Sequence, residues 1–151
     1  MFDLDMLGDV FLDSLKDVIA TSTGIHLEKG SGGSDNDFGD ITGGMFLNGK
    51  KSGMLFVTAD ENDVRVLCSN LTGTPLDEVT SDDLDDTMCE LVNITAGSAK
   101  LRLNGSDYMF SLLQPFVIKG KDVSIITKSI TKIIAGTLTN GEISVSFRAV
   151  Y

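Results

Sequence analysis

The chain has 151 residues, 42% of them hydrophobic, and a formal net charge of −10. That length predicts a single domain over residues 1–151 with room for a substantial core. The acidic balance speaks against binding nucleic acid or an anionic membrane surface, and no apolar run approaches the roughly 18 residues of a membrane span.

Residues 4 to 22 carry Leu7, Phe11, Leu15, Val18 and Ile19 at helical spacing, with Gly24 as the stop. Residues 25 to 29 read as a short strand, and E-K-G-S-G-G-S-D-N-D-F-G-D as a polar, Gly-rich loop. Strands are predicted at 40 to 48 and 51 to 58, joined at Asn48-Gly49, a strong hairpin dipeptide. Asp60 is placed to cap a short helix that carries Val64, Leu67 and Leu71 and ends near Gly73 and Pro75. A long helix follows, capped by Thr80 or Ser81, with Asp82, Asp83, Asp85 and Asp86 complementing its positive end. Strands are then predicted at 107 to 112, 115 to 119, 122 to 128, 133 to 139 and 142 to 150, the last two joined by Asn140-Gly141. The predicted class is α+β, two long helices on one face of an antiparallel sheet. Each half runs from a helix into a meander containing an Asn-Gly pair, which reads as a weak internal duplication.

Several constellations that resemble sites fail on chemistry. Gly44 to Lys51 nearly matches the phosphate-binding G-x-x-x-x-G-K-[ST] loop, but Lys51 stands where magnesium needs a hydroxyl. Asp35, Asp37 and Asp40 invite a calcium reading, yet Gly39 and Phe46 occupy positions where an EF-hand has ligands. His26 is the only histidine and sits in I-H-L, which suits a structural role. Cys68 and Cys89 are too few and too far apart for a disulfide framework or a zinc site. No metal ligand set is predicted. The opening M-F-D-L-D-M is acidic where a secretory signal is basic, so a cytoplasmic location is expected.

The most informative stretch is D-T-M-C-E-L-V-N-I-T-A-G-S-A-K, residues 86 to 100. At about 100° per residue, Leu84, Met88, Leu91, Val92, Ala99 and Leu103 gather on one side as a stripe to bury. Asp86, Glu90, Asn93 and Gly97 gather on the opposite side. Glu90 and Asn93, three apart, are neighbours there. The bare spacing is weak, because five glutamates and seven asparagines give such a pair in about one chain in four by chance. On spacing alone a solvated helix face is the better account of it.

The surrounding letters narrow the choice. E-L-V-N-I-T-A-G-S-A-K, with Asp86 before it and P-F-V-I-K-G-K (Pro115 to Lys121) after it, resembles the CheX branch of the CheC/CheX/FliY family. The resemblance implies the family's fold, and a phosphatase acting on the phosphorylated CheY-like response regulator of chemotaxis. It maps the family's catalytic Glu and Asn onto Glu90 and Asn93; Asp86 and Gly97, on the same exposed face, are the expected substrate-binding positions beside them. It further implies no cofactor of the chain's own, Mg2+ held by the partner receiver domain, and a homodimer joined through sheet edges. The first helix has no glutamate, so one site per chain is expected, as in CheX. Cys89 and Ser98 depart from the glycine and asparagine expected in CheX relatives. A reading of another class is a module that docks on a receiver or a flagellar protein without turnover.

Overall fold

The computed structural model describes residues 3–31, 38–126 and 132–151. Its elements in chain order are α1 (Leu4–Thr23), β1 (Glu28–Lys29), β2 (Ile41–Gly49), β3 (Gly53–Ala59), α2 (Glu61–Thr72), α3 (Ser81–Arg102), β4 (Phe110–Ser111), β5 (Phe116–Lys119), β6 (Ile133–Thr139) and β7 (Ser144–Val150). The strands lie in the order β1-β6-β7-β3-β2-β4, with β5 also paired to β2, and every pairing is antiparallel. The α+β expectation holds, with α1 and α3 as the two long helices on one face of the sheet and the shorter α2 beside α3.

Period-two alternation sets the core. Ile41, Met45 and Leu47 of β2, Leu55 and Val57 of β3, and Val145, Phe147 and Ala149 of β7 turn to the helices and are buried. They meet Leu7, Phe11, Leu15 and Ile19 of α1 and Leu84, Met88, Leu91 and Val92 of α3 in one cluster. At Gly43, between Ile41 and Met45, no side chain separates strand from helix. A Cβ there would lie 2.5 Å from the Met88 carbonyl oxygen and 3.3 Å from Val92 Cβ. The opposite face carries a second apolar layer that the strand alternation alone did not reveal. Phe56 is buried there, stacked edge-on against Phe38 (5.6 Å between centroids) and Phe116 (6.4 Å), and Phe116 meets the more exposed Phe46 at 5.7 Å.

Several predicted boundaries move. Asn48-Gly49 is not the turn of its hairpin. Leu47 pairs with Gly53, so the turn is Lys50 to Ser52, while Asn48 and Gly49 continue β2 and pair with Ser111 and Phe110. A Cβ on Gly49 would collide with the Met109 carbonyl oxygen, so this glycine serves a close strand approach. At Asn140-Gly141 the loop has four residues, because Thr139 pairs with Ser144. There Asn140 Oδ1 accepts from the N–H groups of Glu142 (2.9 Å) and Ile143 (3.0 Å), and Gly141 takes φ 89°. Asp60 occupies the cap position of α2 but makes no capping bond; Asp40 Oδ2 accepts from the Glu61 N–H at 3.0 Å instead. Only Glu28–Lys29 of the predicted 25–29 strand is extended, leaving His26 exposed ahead of it. The strand predicted at 107–112 shrinks to Phe110–Ser111. Of that predicted at 122–128, residues 122–126 are not in a strand and the remainder lies outside the described residues, as do Asp35 and Asp37.

The two sheet edges differ. Opposite β2, Ser111 pairs with Asn48 and Phe116 with Gly44, so five steps along one strand face four along the other, a bulge containing Pro115. On β6, Lys132 and Tyr151 exchange both backbone hydrogen bonds (3.2 and 3.0 Å), which sets the phase of the ladder. Ile133, Ala135 and Thr137 therefore turn their backbone groups away from β7. The Thr137 carbonyl accepts from Gly30 N–H at 2.8 Å. For Ile133 and Ala135 no backbone partner stands beyond β6 among the described residues.

Gly43→Ala is expected to force α3 off the sheet and to destabilise the fold by about 1–3 kcal/mol, the usual range for overpacking a tight contact. A urea titration followed by circular dichroism checks this, the midpoint falling without a change of slope.

Candidate active site

The candidate site is built on α3, whose start and both flanks are fixed by specific contacts. Thr80 Oγ1 accepts from the Asp83 N–H (3.2 Å) while Asp83 Oδ2 accepts from the Thr80 N–H (2.9 Å), a reciprocal capping box. Near this end Lys119 Nζ of β5 lies 3.0 Å from Asp85 Oδ1 and donates to Ser81 Oγ at 2.9 Å. At the far end Arg102 donates to Ser14 Oγ (2.6 Å) and Ser98 Oγ (3.0 Å) and pairs with Asp17, tying α3 to α1. Such partly exposed ion pairs add little net stability. Their effect is on register: the helix is held at one end by the sheet and at the other by α1. The sequence reading missed both clamps, since pairings between distant segments leave no local spacing signal.

The buried side of α3 matches the predicted stripe, with Leu84, Met88, Leu91, Val92 and Ala99 buried, and Thr87, Thr95 and Ala96 joining them. The four predicted site residues lie together on the other side. Asp86 and Glu90 are exposed, and Asn93 and Gly97 are partly so. Neither the Glu90 carboxylate nor the Asn93 carboxamide has a side-chain hydrogen bond or ion-pair partner among the described residues, so both are free to engage another molecule. A Cβ on Gly97 would meet no atom within 4 Å. This glycine does not serve close packing within the chain.

Beside Glu90 runs a cleft of about 250 Å³ between α2 and α3, walled by Leu71 and Thr72 on one side and by Asp86, Thr87 and Glu90 on the other. On the opposite flank, burial, with the carboxylates of Asp86 and Asp85 adding to it, pushes the Cys89 thiol up from its ordinary value. The thiol stays protonated at neutral pH, and this is not the environment of an activated nucleophile. What the face offers chemically is a negative acceptor and, one turn on, an uncharged group that both accepts and donates. The carboxylate suits a cation; the carboxamide suits a water or a phosphoryl oxygen.

The family described as "Chemotaxis phosphatase CheX" matches residues 41–140. No curated protein matches the sequence. Among solved structures, the fold is similar to chemotaxis protein CheX from Vibrio vulnificus (23% identity, TM-score 0.82, 99% of each chain covered). It is similar also to a CheC-like superfamily protein from Shewanella sp. PV-4 (24% identity, TM-score 0.83, 99% of this chain and 98% of that one). A third likeness is to the CheX–CheY–BeF3–Mg+2 complex from Borrelia burgdorferi (16% identity, TM-score 0.73, 94% of this chain and 95% of that one).

Because the space around Gly97 is open and its backbone is helical, Gly97→Ala is expected to stabilise the domain by about 1 kcal/mol. A rise in thermal midpoint checks it, and a fall would mean that the site is crowded in a way the open geometry denies.

Proposed function

The chain belongs to the CheX family of chemotaxis phosphatases, and on that premise we propose that it dephosphorylates the aspartyl phosphate of a CheY-like receiver domain by presenting the Glu90–Asn93 face of α3 to it. The observation that carries this reading is the placement of these two side chains one turn apart, uncovered, on a helix clamped at both ends. That the Borrelia burgdorferi relative forms a complex with CheY, BeF3 and Mg+2 supports a receiver as the partner.

Phosphoryl transfer asks a protein mainly for positioning and charge stabilisation. On this reading Asn93 holds the attacking water: its carbonyl accepts a hydrogen bond from the water while its NH₂ donates one towards a phosphoryl oxygen. The water oxygen bonds to phosphorus, the phosphorus–oxygen bond to the receiver's aspartate breaks, and the aspartate leaves as carboxylate with inorganic phosphate released. A carboxylate at position 93 would repel the phosphoryl group, so the uncharged amide is the better residue there. Glu90 makes a charge-assisted contact to a cation on the receiver and fixes the docking register. Asp86 adds negative charge on the same face, and Gly97 leaves room for the receiver's backbone. The chain itself supplies no cofactor. Mg2+ belongs to the receiver, where it neutralises phosphoryl charge. No described helix is long and apolar enough to cross a membrane, and we place the reaction in the cytoplasm.

We also propose that two chains pair through sheet edges. The backbone groups of Ile133 and Ala135 that point away from β7 offer one such edge, and an unpaired edge is a template for another strand.

Two measurements test these readings. With phosphorylated receivers, Asn93→Ala is expected to lose about 100-fold in phosphate release while still binding the receiver, whereas Glu90→Lys loses binding as well. Near wild-type turnover by Asn93→Ala would sink the mechanism. In sedimentation at micromolar concentration the chain is expected at twice its 16.1 kDa. Ala135→Pro, which removes an outward-pointing N–H and no ladder bond, is expected to return it to the monomer mass.

A further inference from the structure

The stripe that carries Glu90 and Asn93 does not stop at Gly97. Counting at 100° per residue, Asp86, Glu90, Asn93, Gly97 and Leu101 fall within an arc of about 80° on α3. Leu101 closes that row, and the residue is 80% exposed. A single exposed leucine is ordinary, so exposure alone assigns nothing. Its address is the observation. Leu101 stands about 12 Å along the helix axis beyond Asn93 and about 16 Å beyond Glu90, on the face that meets the receiver, with the side-chain gap of Gly97 between. The charges along the row are also polarised. Asp86 and Glu90 occupy its first half, with Asp82 a turn before them, and Lys100, which has no ion-pair partner among the described residues, flanks Leu101 in the second.

Resting on the receiver reading above, we propose that Leu101 is a specificity-determining anchor: it buries against an apolar patch of the receiver on the far side of the phosphorylation pocket from the cation that meets Glu90. Docking is then held at two points that straddle Asn93. At the acidic end a charge-assisted contact sets which way the helix lies. At the other end an apolar contact, flanked by Lys100 and so complementary to an acidic rim on the receiver, selects among receivers. Receivers share the phosphorylation chemistry that Glu90 and Asn93 address, so discrimination between them must come from contacts outside it. Gly97 lets the receiver surface reach the helix between the two points. Leu101 touches no reacting atom in this arrangement, and its effect falls on binding.

The test compares wild type, Leu101→Lys, Leu101→Met and Asn93→Ala against a panel of receivers from the same genome. Kd is measured with the receivers loaded with BeF3 and Mg2+, and kcat and KM for phosphate release with the phosphorylated receivers. Leu101→Lys is expected to raise Kd and KM for the preferred receiver about ten-fold or more, to leave kcat within about two-fold, and to narrow the preference over the other receivers. Leu101→Met, still apolar, is expected to keep wild-type values. Circular dichroism and thermal midpoint should be unchanged in both, since the side chain packs against little of its own chain. An unmoved Kd in Leu101→Lys overturns the anchor, as does a fall in kcat with KM unchanged. If Asn93→Ala meanwhile loses its rate, the phosphatase reading stands and the anchor alone fails. A wild-type chain that binds none of the receivers overturns both.

Discussion

The fold turns on one contact in which a helix backbone rests against a strand with no side chain between them. Gly43 lies mid-strand in β2, and the Met88 carbonyl of α3 occupies the space where a Cβ would be. With α3 this close, Met88 and Val92 join the buried residues of α1 and the strands in one core cluster. The same closeness decides which side of α3 remains outside. A helix with one face pressed to a sheet and flanked by α1 and α2 has a single direction left to solvent, and Glu90 and Asn93 point that way. Packing and chemistry are two faces of one constraint.

Much of this was legible in the sequence, and the reasons it was legible are physical. The buried stripe of α3 and its polar opposite face follow from helical period alone, and a cap at Thr80 follows from local hydrogen-bonding preference, although the reciprocal bond from Asp83 was not read. What failed were inferences from short motifs with more than one physical cause. Asn-Gly suits a tight turn because glycine tolerates positive φ, but at Gly49 the missing Cβ serves strand contact with Met109 instead. Asp60 sits where a cap belongs, yet the bond comes from Asp40, brought there by the fold. The aromatic layer of Phe38, Phe56 and Phe116 was invisible because each strand looked one-sided when read separately.

The candidate site shows the same division. Its two chemical letters stood out because they share a helix face, a local property. The residues that hold that helix in place, Lys119 and Arg102, act across the chain, and only the folded arrangement joins them to Asp85 and Asp17. A helix supported this way keeps its backbone in one place whether or not anything is bound to it. Folding fixes the backbone that carries Glu90 and Asn93, while their side chains keep no partner among the described residues.

The double clamping of α3 also bears on how its main chain breathes. Fraying normally starts at helix ends, where amides lack partners and neighbours are few. Here one end is stitched to β5 and the other to α1, while the middle lies against Gly43. The turns in the middle, buried against Gly43 and the core, are the ones furthest from an easy point of local opening. Amide protons between Met88 and Ala96 should then exchange with solvent deuterium only when the whole domain unfolds. The backbone beneath the candidate face would then be among the slowest-exchanging parts of the described fold.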